Sequence, residues 1–254
     1  LQAKGFETAP TSFHYLQVAA PLFLIILTRL KVPVSTTFLL LSCYAASGNS
    51  ITAIALKSIS GYGIAFAAAI VIFFTLGPLM KRAFTGDTHP AWRFAQWITT
   101  GTLWSVWLQQ DASNIAVSLP RAMSGVEFAA FASVIVVGLG FMFKKGGERI
   151  QEVVEEKSDV ADVRSATVID LTYAVILYVF KIQSKVPMST TWVFMGLLAG
   201  REIAMAIRKS NSNGRGVKGA IQLMAKDMLY VTAGFIVSLI LAAVINPSAR
   251  MTMF

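Results

Sequence analysis

Long apolar stretches alternate with short polar breaks along most of this chain. Uncharged runs extend over residues 32–56, 59–80, 94–110 and 228–246. Because a helix needs about 20 apolar residues to cross a bilayer, these runs predict transmembrane helices. We therefore predict an all-α polytopic membrane protein. The expected spans are 13–30, 59–80, 126–143, 168–182 and 228–246, with an aromatic segment over 92–110 that ends at the polar residues 109–114.

Two of the apolar stretches contain the same polar interruption. Residues 31–37 read Lys-Val-Pro-Val-Ser-Thr-Thr, and residues 185–191 read Lys-Val-Pro-Met-Ser-Thr-Thr. Proline lacks an amide N–H and disfavours helix at the residue before it, whereas serine and threonine suit the start of a helix. In each copy we expect one helix to end before the proline and a short helix to follow, over 38–46 and 192–199. Residues 48–50, Gly-Asn-Ser, predict a further interruption.

The similarity extends beyond the two heptapeptides. Residues 13–30 align without gaps with 167–184, and Lys57 with its following span corresponds to Lys226 and its span. Residues 11–80 and 165–246 thus look like two copies of one unit, which consists of a span, a proline break, a half-helix and a second span. An internal repeat with broken, re-entrant helices is typical of secondary transporters.

This repeat predicts how the chain is divided. Residues 1–80 form the C-terminal part of the first repeat, 81–246 form the second repeat with a charged linker at 144–164, and 247–254 form a tail. The block 90–143 occurs once. Its equivalent in the first repeat would precede residue 1, so we expect that an N-terminal segment is missing from this chain.

Charge and motif content exclude several classes of function. The chain has 22 Lys and Arg against 13 Asp and Glu, a formal charge of +9, yet its basic residues stand singly or in pairs between apolar segments. Such residues anchor helices at lipid headgroups, so we expect no nucleic-acid partner. The single Cys43 excludes an intrachain disulfide framework. The sequence has no nucleophile elbow, P-loop or dinucleotide-binding glycine motif, and we predict neither an enzyme nor a cofactor.

The hydroxyl residues after each proline are candidates for anion binding. A half-helix that begins inside a membrane directs free N–H groups and the positive end of its dipole inward. Together with hydroxyl groups, these donors can bind a tetrahedral oxyanion without any basic residue. The predicted anion-binding residues are Ser35, Thr36, Thr37, Ser189, Thr190 and Thr191. The alternative is that both motifs are kinks whose hydroxyls bond back to their own helices.

A second candidate site follows the aromatic segment. An ionisable residue in a membrane segment marks an ion or proton path by default, and hard oxygen ligands suit Na⁺. The predicted coupling residues are Gln110, Asp111, Ser113 and Asn114. Either they bind Na⁺ or Asp111 exchanges a proton; alternatively, Asp111 pairs with Arg121 in an interfacial loop. Asp170 lies near the start of its span, and we predict a solvated interface position without a coupling role.

These motifs together resemble the PiT family of inorganic phosphate transporters. Each inverted repeat of that family carries a Gly-Ala-Asn-Asp-Val-x-Asn-Ala and a Pro-Val-Ser-Thr-Thr-His signature. Residues 33–37 match the second signature before its histidine, and 187–191 match it with methionine for valine. Asp111 and Asn114 match the aspartate and the later asparagine of the first signature. Gln110 replaces an asparagine, and Phe38 and Trp192 stand where the family has histidine.

The resemblance implies import of phosphate coupled to Na⁺ or H⁺, or of sulfate as in related permeases. It also implies a homodimer in a bacterial inner membrane. The hydroxyl residues would hold the anion, Asp111 and Asn114 would hold the coupling cation, and the repeats would rock around a site near the bilayer midplane. Two other classes remain open, a non-transporting membrane scaffold and an anion channel.

Overall fold

Helices account for the regular structure of the part of the chain that the computed structural model describes. The described residues are 15–30, 32, 34–41, 43, 48–83, 86–146, 163–179, 189–208, 216–246 and 250. The α-helices are α1 (Ala19–Arg29), α2 (Gly48–Ala83), α3 (Ala91–Ile115), α4 (Gly125–Lys144), α5 (Val163–Leu177), α6 (Thr190–Ile207) and α7 (Val217–Ile245). Short 3₁₀ turns cover Tyr15–Val18 and Ala116–Ser118, and Thr37–Leu41 forms a π-helical turn.

Four of the described helices are long and apolar enough to cross a membrane. The qualifying segments are Ile51–Leu79, Gly125–Lys144, Thr190–Ile207 and Val217–Ile245. This finding confirms the prediction of an α-helical membrane protein with several spans. The second proline break at 186–187, the linker residues 147–162 and the tail residues 251–254 lie outside the described residues.

The first proline break is present, but two predicted helix boundaries are wrong. Residues 48–50 do not interrupt a helix; they form the first turn of α2, where polar residues suit the free N–H groups. The helix after the second motif does not end at residue 199 but continues to Ile207. It continues because the Arg201 guanidinium and the Glu202 carboxylate form an ion pair, with 3.0 Å between nitrogen and oxygen. The two charges neutralise each other, although only about 5% of each side chain is exposed.

The polar end of the aromatic segment is helical, contrary to prediction. Helix α3 continues through residues 109–114 to Ile115, and the chain turns only afterwards. The Arg121 guanidinium stabilises this end of the helix, because it donates to the carbonyl oxygens of Ala116, Val117 and Leu119 at 3.3, 3.0 and 2.7 Å. The chain reversal therefore follows Asn114 rather than preceding it.

Helices α2 and α6 pack unusually closely. A Cβ atom added to Gly196 would lie 2.4 Å from the Tyr62 carbonyl oxygen, and one added to Gly200 would lie 2.3 Å from that of Phe66. Small residues four positions apart allow two membrane helices to approach in this way. Because the contacts advance along both helices together, α2 and α6 run parallel.

Helix α7 runs antiparallel to α6. The ring of Trp192, at the start of α6, lies 5.9 Å from the ring of Phe235. Further along α6, Glu202 lines a small cavity together with Asp227, which precedes Phe235 in α7. Since α6 is parallel to α2 and antiparallel to α7, the two long helices α2 and α7 run in opposite directions.

Two groups of helices flank the centre of the molecule. The residues after the first break pack beside α1 and α7, in a cluster that includes Ala20, Leu39 and Ile245. Helix α6 packs beside α2 and α5, in a cluster that includes Ala65 and Tyr173. The polar starts of the π-helical turn and of α6 lie between these groups.

Candidate anion-binding site

The two predicted motifs begin their helices in the same way. The Ser35 hydroxyl oxygen accepts a hydrogen bond from the Phe38 N–H at 3.2 Å, and Ser189 accepts one from the Trp192 N–H at 3.2 Å. Both serines are buried, and each acts as an N-cap. The two serine oxygens therefore bond to their own helices, as the alternative interpretation of the motifs expects. Each hydroxyl proton is still a possible donor to another group.

The two motifs also touch each other. The Thr191 hydroxyl donates to the Val34 carbonyl oxygen at 3.2 Å. Immediately behind, the rings of Phe38 and Trp192 lie 5.7 Å apart, and both pack against Phe235. Two segments more than 150 residues apart in the sequence therefore meet at a polar surface with an aromatic backing.

Asn114 joins helix α3 to the first motif. Its amide nitrogen donates to the hydroxyl oxygens of Thr36 and Thr37 at 3.1 and 3.3 Å. Asn114 is 2% exposed and Thr37 is fully buried. A hydroxyl that accepts a hydrogen bond keeps its own proton for a further acceptor. By accepting from Asn114, the Thr36 hydroxyl is oriented as a possible donor, which is what an anion requires.

Two residues that the sequence did not single out position the second motif. The Ser189 amide N–H donates to the Ser58 hydroxyl at 2.8 Å, and Ser58 donates in turn to the Ile54 carbonyl oxygen. The Tyr173 hydroxyl donates to the Thr190 carbonyl oxygen at 2.8 Å. Ser58 follows Lys57 and Tyr173 follows Thr172, so neither stands out in the sequence and only their tertiary contacts reveal them.

The start of α6 retains unused amide donors. Within the described part of the chain, no group accepts a hydrogen bond from the backbone N–H of Thr190 or Thr191. These are the orphan donors of a helix start, and the helix dipole adds a partial positive charge there. Among the described residues, hydroxyls and amides thus converge in this cluster without a basic side chain, an arrangement suited to an anion.

Helix α3 orders the predicted coupling residues. Asp111 lies three residues and Gln110 four residues before Asn114 in one continuous helix, so these three positions share a helix face. Ser113 lies about 100° around the helix from Asn114, because each residue turns an α-helix by that angle. The face that touches the first motif therefore contains positions 110, 111 and 114.

Asp170, for which the sequence predicted a solvated interface position, lies at a contact between two helices. It is partly buried between helices α5 and α3, and its Oδ2 atom accepts a 2.5 Å hydrogen bond from the Thr100 hydroxyl. The sequence gives no signal for this pair, because Thr100 is an unremarkable residue in the aromatic segment.

Comparison with known proteins adds no identification to this site. No protein-family model, curated protein or solved structure matches the chain.

Proposed function

We propose that this protein is a secondary active transporter that imports inorganic phosphate, coupled to Na⁺ or H⁺, by alternating access. The observation that carries the proposal is the convergence of three distant segments. Asn114 donates to Thr36 and Thr37, while Thr191 donates to the Val34 carbonyl oxygen. Neutral donors that converge from several elements suit an oxyanion that must bind and then leave, whereas a fixed cationic cluster would retain it.

The fold supports an inverted repeat with re-entrant helix starts. The matched caps at Ser35 and Ser189 lie at equivalent positions of the two predicted copies. The equivalent long helices α2 and α7 run in opposite directions. In addition, each capped segment packs against the long helix of the other copy. Secondary transporters of this kind bind their substrate at the interface of the two repeats.

Coupling to a cation follows from charge. A phosphate buried among neutral donors loses its hydration, and a cation at Asp111 and Asn114 would offset that loss. Two unit charges about 4 Å apart at an effective dielectric constant of about 20 attract each other by about 4 kcal/mol. Anion and cation would then move together as the repeats rock. The homodimer and the bacterial inner membrane are part of this proposal, on the strength of the family resemblance.

Uptake into proteoliposomes tests the proposal. The full chain is reconstituted, and accumulation of labelled phosphate and of labelled sulfate is measured with and without inward Na⁺ and H⁺ gradients. We expect phosphate to accumulate above its equilibrium level only when a gradient is imposed. Flux that only equilibrates, whatever the gradient, would favour an anion channel. Absence of flux for both anions would favour a scaffold, and gradient-driven uptake of sulfate alone would favour a sulfate permease.

Asp111→Asn tests the coupling role. We expect this variant to lose cation dependence, because the neutral amide removes the charge that attracts the coupling ion. The matched control is Asp87→Asn, which neutralises an exposed carboxylate in the loop before α3 and should leave uptake unchanged. Undiminished gradient-driven uptake by Asp111→Asn would remove Asp111 from the mechanism.

A further inference from the structure

Asp170 is a carboxylate at a helix interface, and no basic side chain of the described residues forms an ion pair with it. It lies in the apolar helix α5 and is partly buried against α3. Among the described residues, its hydrogen-bond donor is the neutral hydroxyl of Thr100. Burying an ionised carboxylate is unfavourable unless another charge compensates it. Ionisable residues in such positions of membrane proteins mark ion or proton sites by default.

The charged and titratable groups on neighbouring helices do not compensate Asp170. Helix α5 packs against α3, α6 and α2. Apart from Asp170, the charged and titratable groups of α5 are Arg164 and Tyr173, with Tyr178 just beyond its end. The neighbouring helices carry Arg93 and Asp111 on α3, Arg201 and Glu202 on α6, and Lys57, Tyr62, Lys81 and Arg82 on α2. Within the described part of the chain, no basic side chain lies at ion-pair distance from Asp170, and Arg201 is paired with Glu202.

We propose that Asp170 is a proton-binding site, at which one proton binds and is released in each transport cycle. This inference rests on the proposed transport function. The proton is the ligand that fits a single carboxylate whose donor is one hydroxyl, since Na⁺ would require several oxygen ligands. Partial exposure leaves the carboxylate accessible to that proton.

The position of Asp170 links this proton to the anion site. A hydrogen bond from Thr100 to an ionised carboxylate is roughly twice as strong as a bond between neutral groups, so protonation weakens the link between α3 and α5. Helix α3 carries Asn114, which holds the first motif. Helix α5 carries Tyr173, one turn after Asp170, which holds the start of α6. Protonation therefore favours relative movement of the two helices that position the site.

Transport in lipid vesicles tests this site with the full chain. Inorganic phosphate is the probe, and the variants are Asp170→Asn, Thr100→Val and the control Glu127→Gln, which alters an exposed carboxylate of α4. In the parent protein, uptake should fall about tenfold per pH unit above its midpoint, as expected for one required proton. Asp170→Asn should retain phosphate exchange at equilibrium but lose accumulation driven by a pH gradient. Thr100→Val should move the midpoint to higher pH, because the ionised carboxylate loses its donor.

Infrared spectroscopy of the purified chain separates this inference from the transport function. One protonated-carboxyl band that titrates with pH, resolved by difference spectra from the bands of the other carboxyls, should be present in the parent protein and in Glu127→Gln but absent from Asp170→Asn. If no variant transports any anion and this band behaves as expected, the transport function fails and the proton site stands. If the parent protein transports phosphate and Asp170→Asn has the same pH profile and gradient response, the proton site is wrong. Absence of the band in the parent protein at every pH would also overturn it.

Discussion

Replacing Gly196 with alanine should separate helices α2 and α6 and destabilise the protein. The new Cβ would lie 2.4 Å from the Tyr62 carbonyl oxygen, whereas ordinary contacts begin at 3.4 Å, so α6 must move by about 1 Å. The obstacle is backbone and cannot rotate away. A shift of that size would also break the 2.8 Å bond from the Ser189 amide to the Ser58 hydroxyl.

The magnitude follows from three effects. Overpacking of this kind costs about 1–3 kcal/mol, and the lost hydrogen bond adds about 1 kcal/mol. The better helix propensity of alanine opposes them by about 1 kcal/mol. The net destabilisation is therefore roughly 1–3 kcal/mol, which corresponds to a decrease in melting temperature of about 2–12 °C for a chain of this size.

Thermal unfolding of the detergent-purified protein measures this change. The control is Gly63→Ala in the partner helix α2, where an added Cβ has no neighbour within 4 Å; it should be neutral or slightly stabilising. Gly200→Ala should resemble Gly196→Ala, because its Cβ would lie 2.3 Å from the Phe66 carbonyl oxygen. Equal melting temperatures for Gly196→Ala and Gly63→Ala would refute the close packing of α2 and α6.

Two further substitutions probe the polar contacts of the site. Asn114→Ala removes the hydrogen bonds to Thr36 and Thr37. Because each bond is worth about 1 kcal/mol, the KM for phosphate uptake should rise at least about tenfold. An unchanged KM would exclude Asn114 from the site. Thr191→Val removes the bond to the Val34 carbonyl oxygen at nearly constant volume, so we expect a loss of about 1 kcal/mol in thermal unfolding. The control is Thr102→Val, because the Thr102 hydroxyl donates to a carbonyl oxygen of its own exposed helix. If Thr191→Val melts at the same temperature as Thr102→Val or higher, the contact with Val34 is contradicted.

The sequence predicted the membrane class because span length and the near absence of charge depend only on local composition. It predicted the first proline break for an equally local reason, the missing N–H and the steric restriction at proline. It failed at the end of α6, where Arg201 and Glu202 look like the start of a surface loop. These two residues are neighbours in the sequence, but their burial in the interior is a tertiary effect that no local pattern contains.

The candidate site was predictable only in part. The repeated hydroxyl motif identified Thr36 and Thr191, because two copies of an unusual pattern stand out against apolar sequence. Asn114 was predicted as a cation ligand, and its bonds to the first motif were not foreseen. Ser58 was missed, since it is one of several serines in its helix and differs from the others only through the group that it contacts.

Equilibrium binding of labelled phosphate to the purified chain tests most directly whether both motifs form one anion site. The measurement compares the parent protein with Thr36→Val, Thr190→Val and the double variant. We predict one bound phosphate per chain, with an affinity that decreases when either motif is altered. Two phosphates per chain, each lost with only one motif, or an affinity that neither substitution changes, would contradict the shared site.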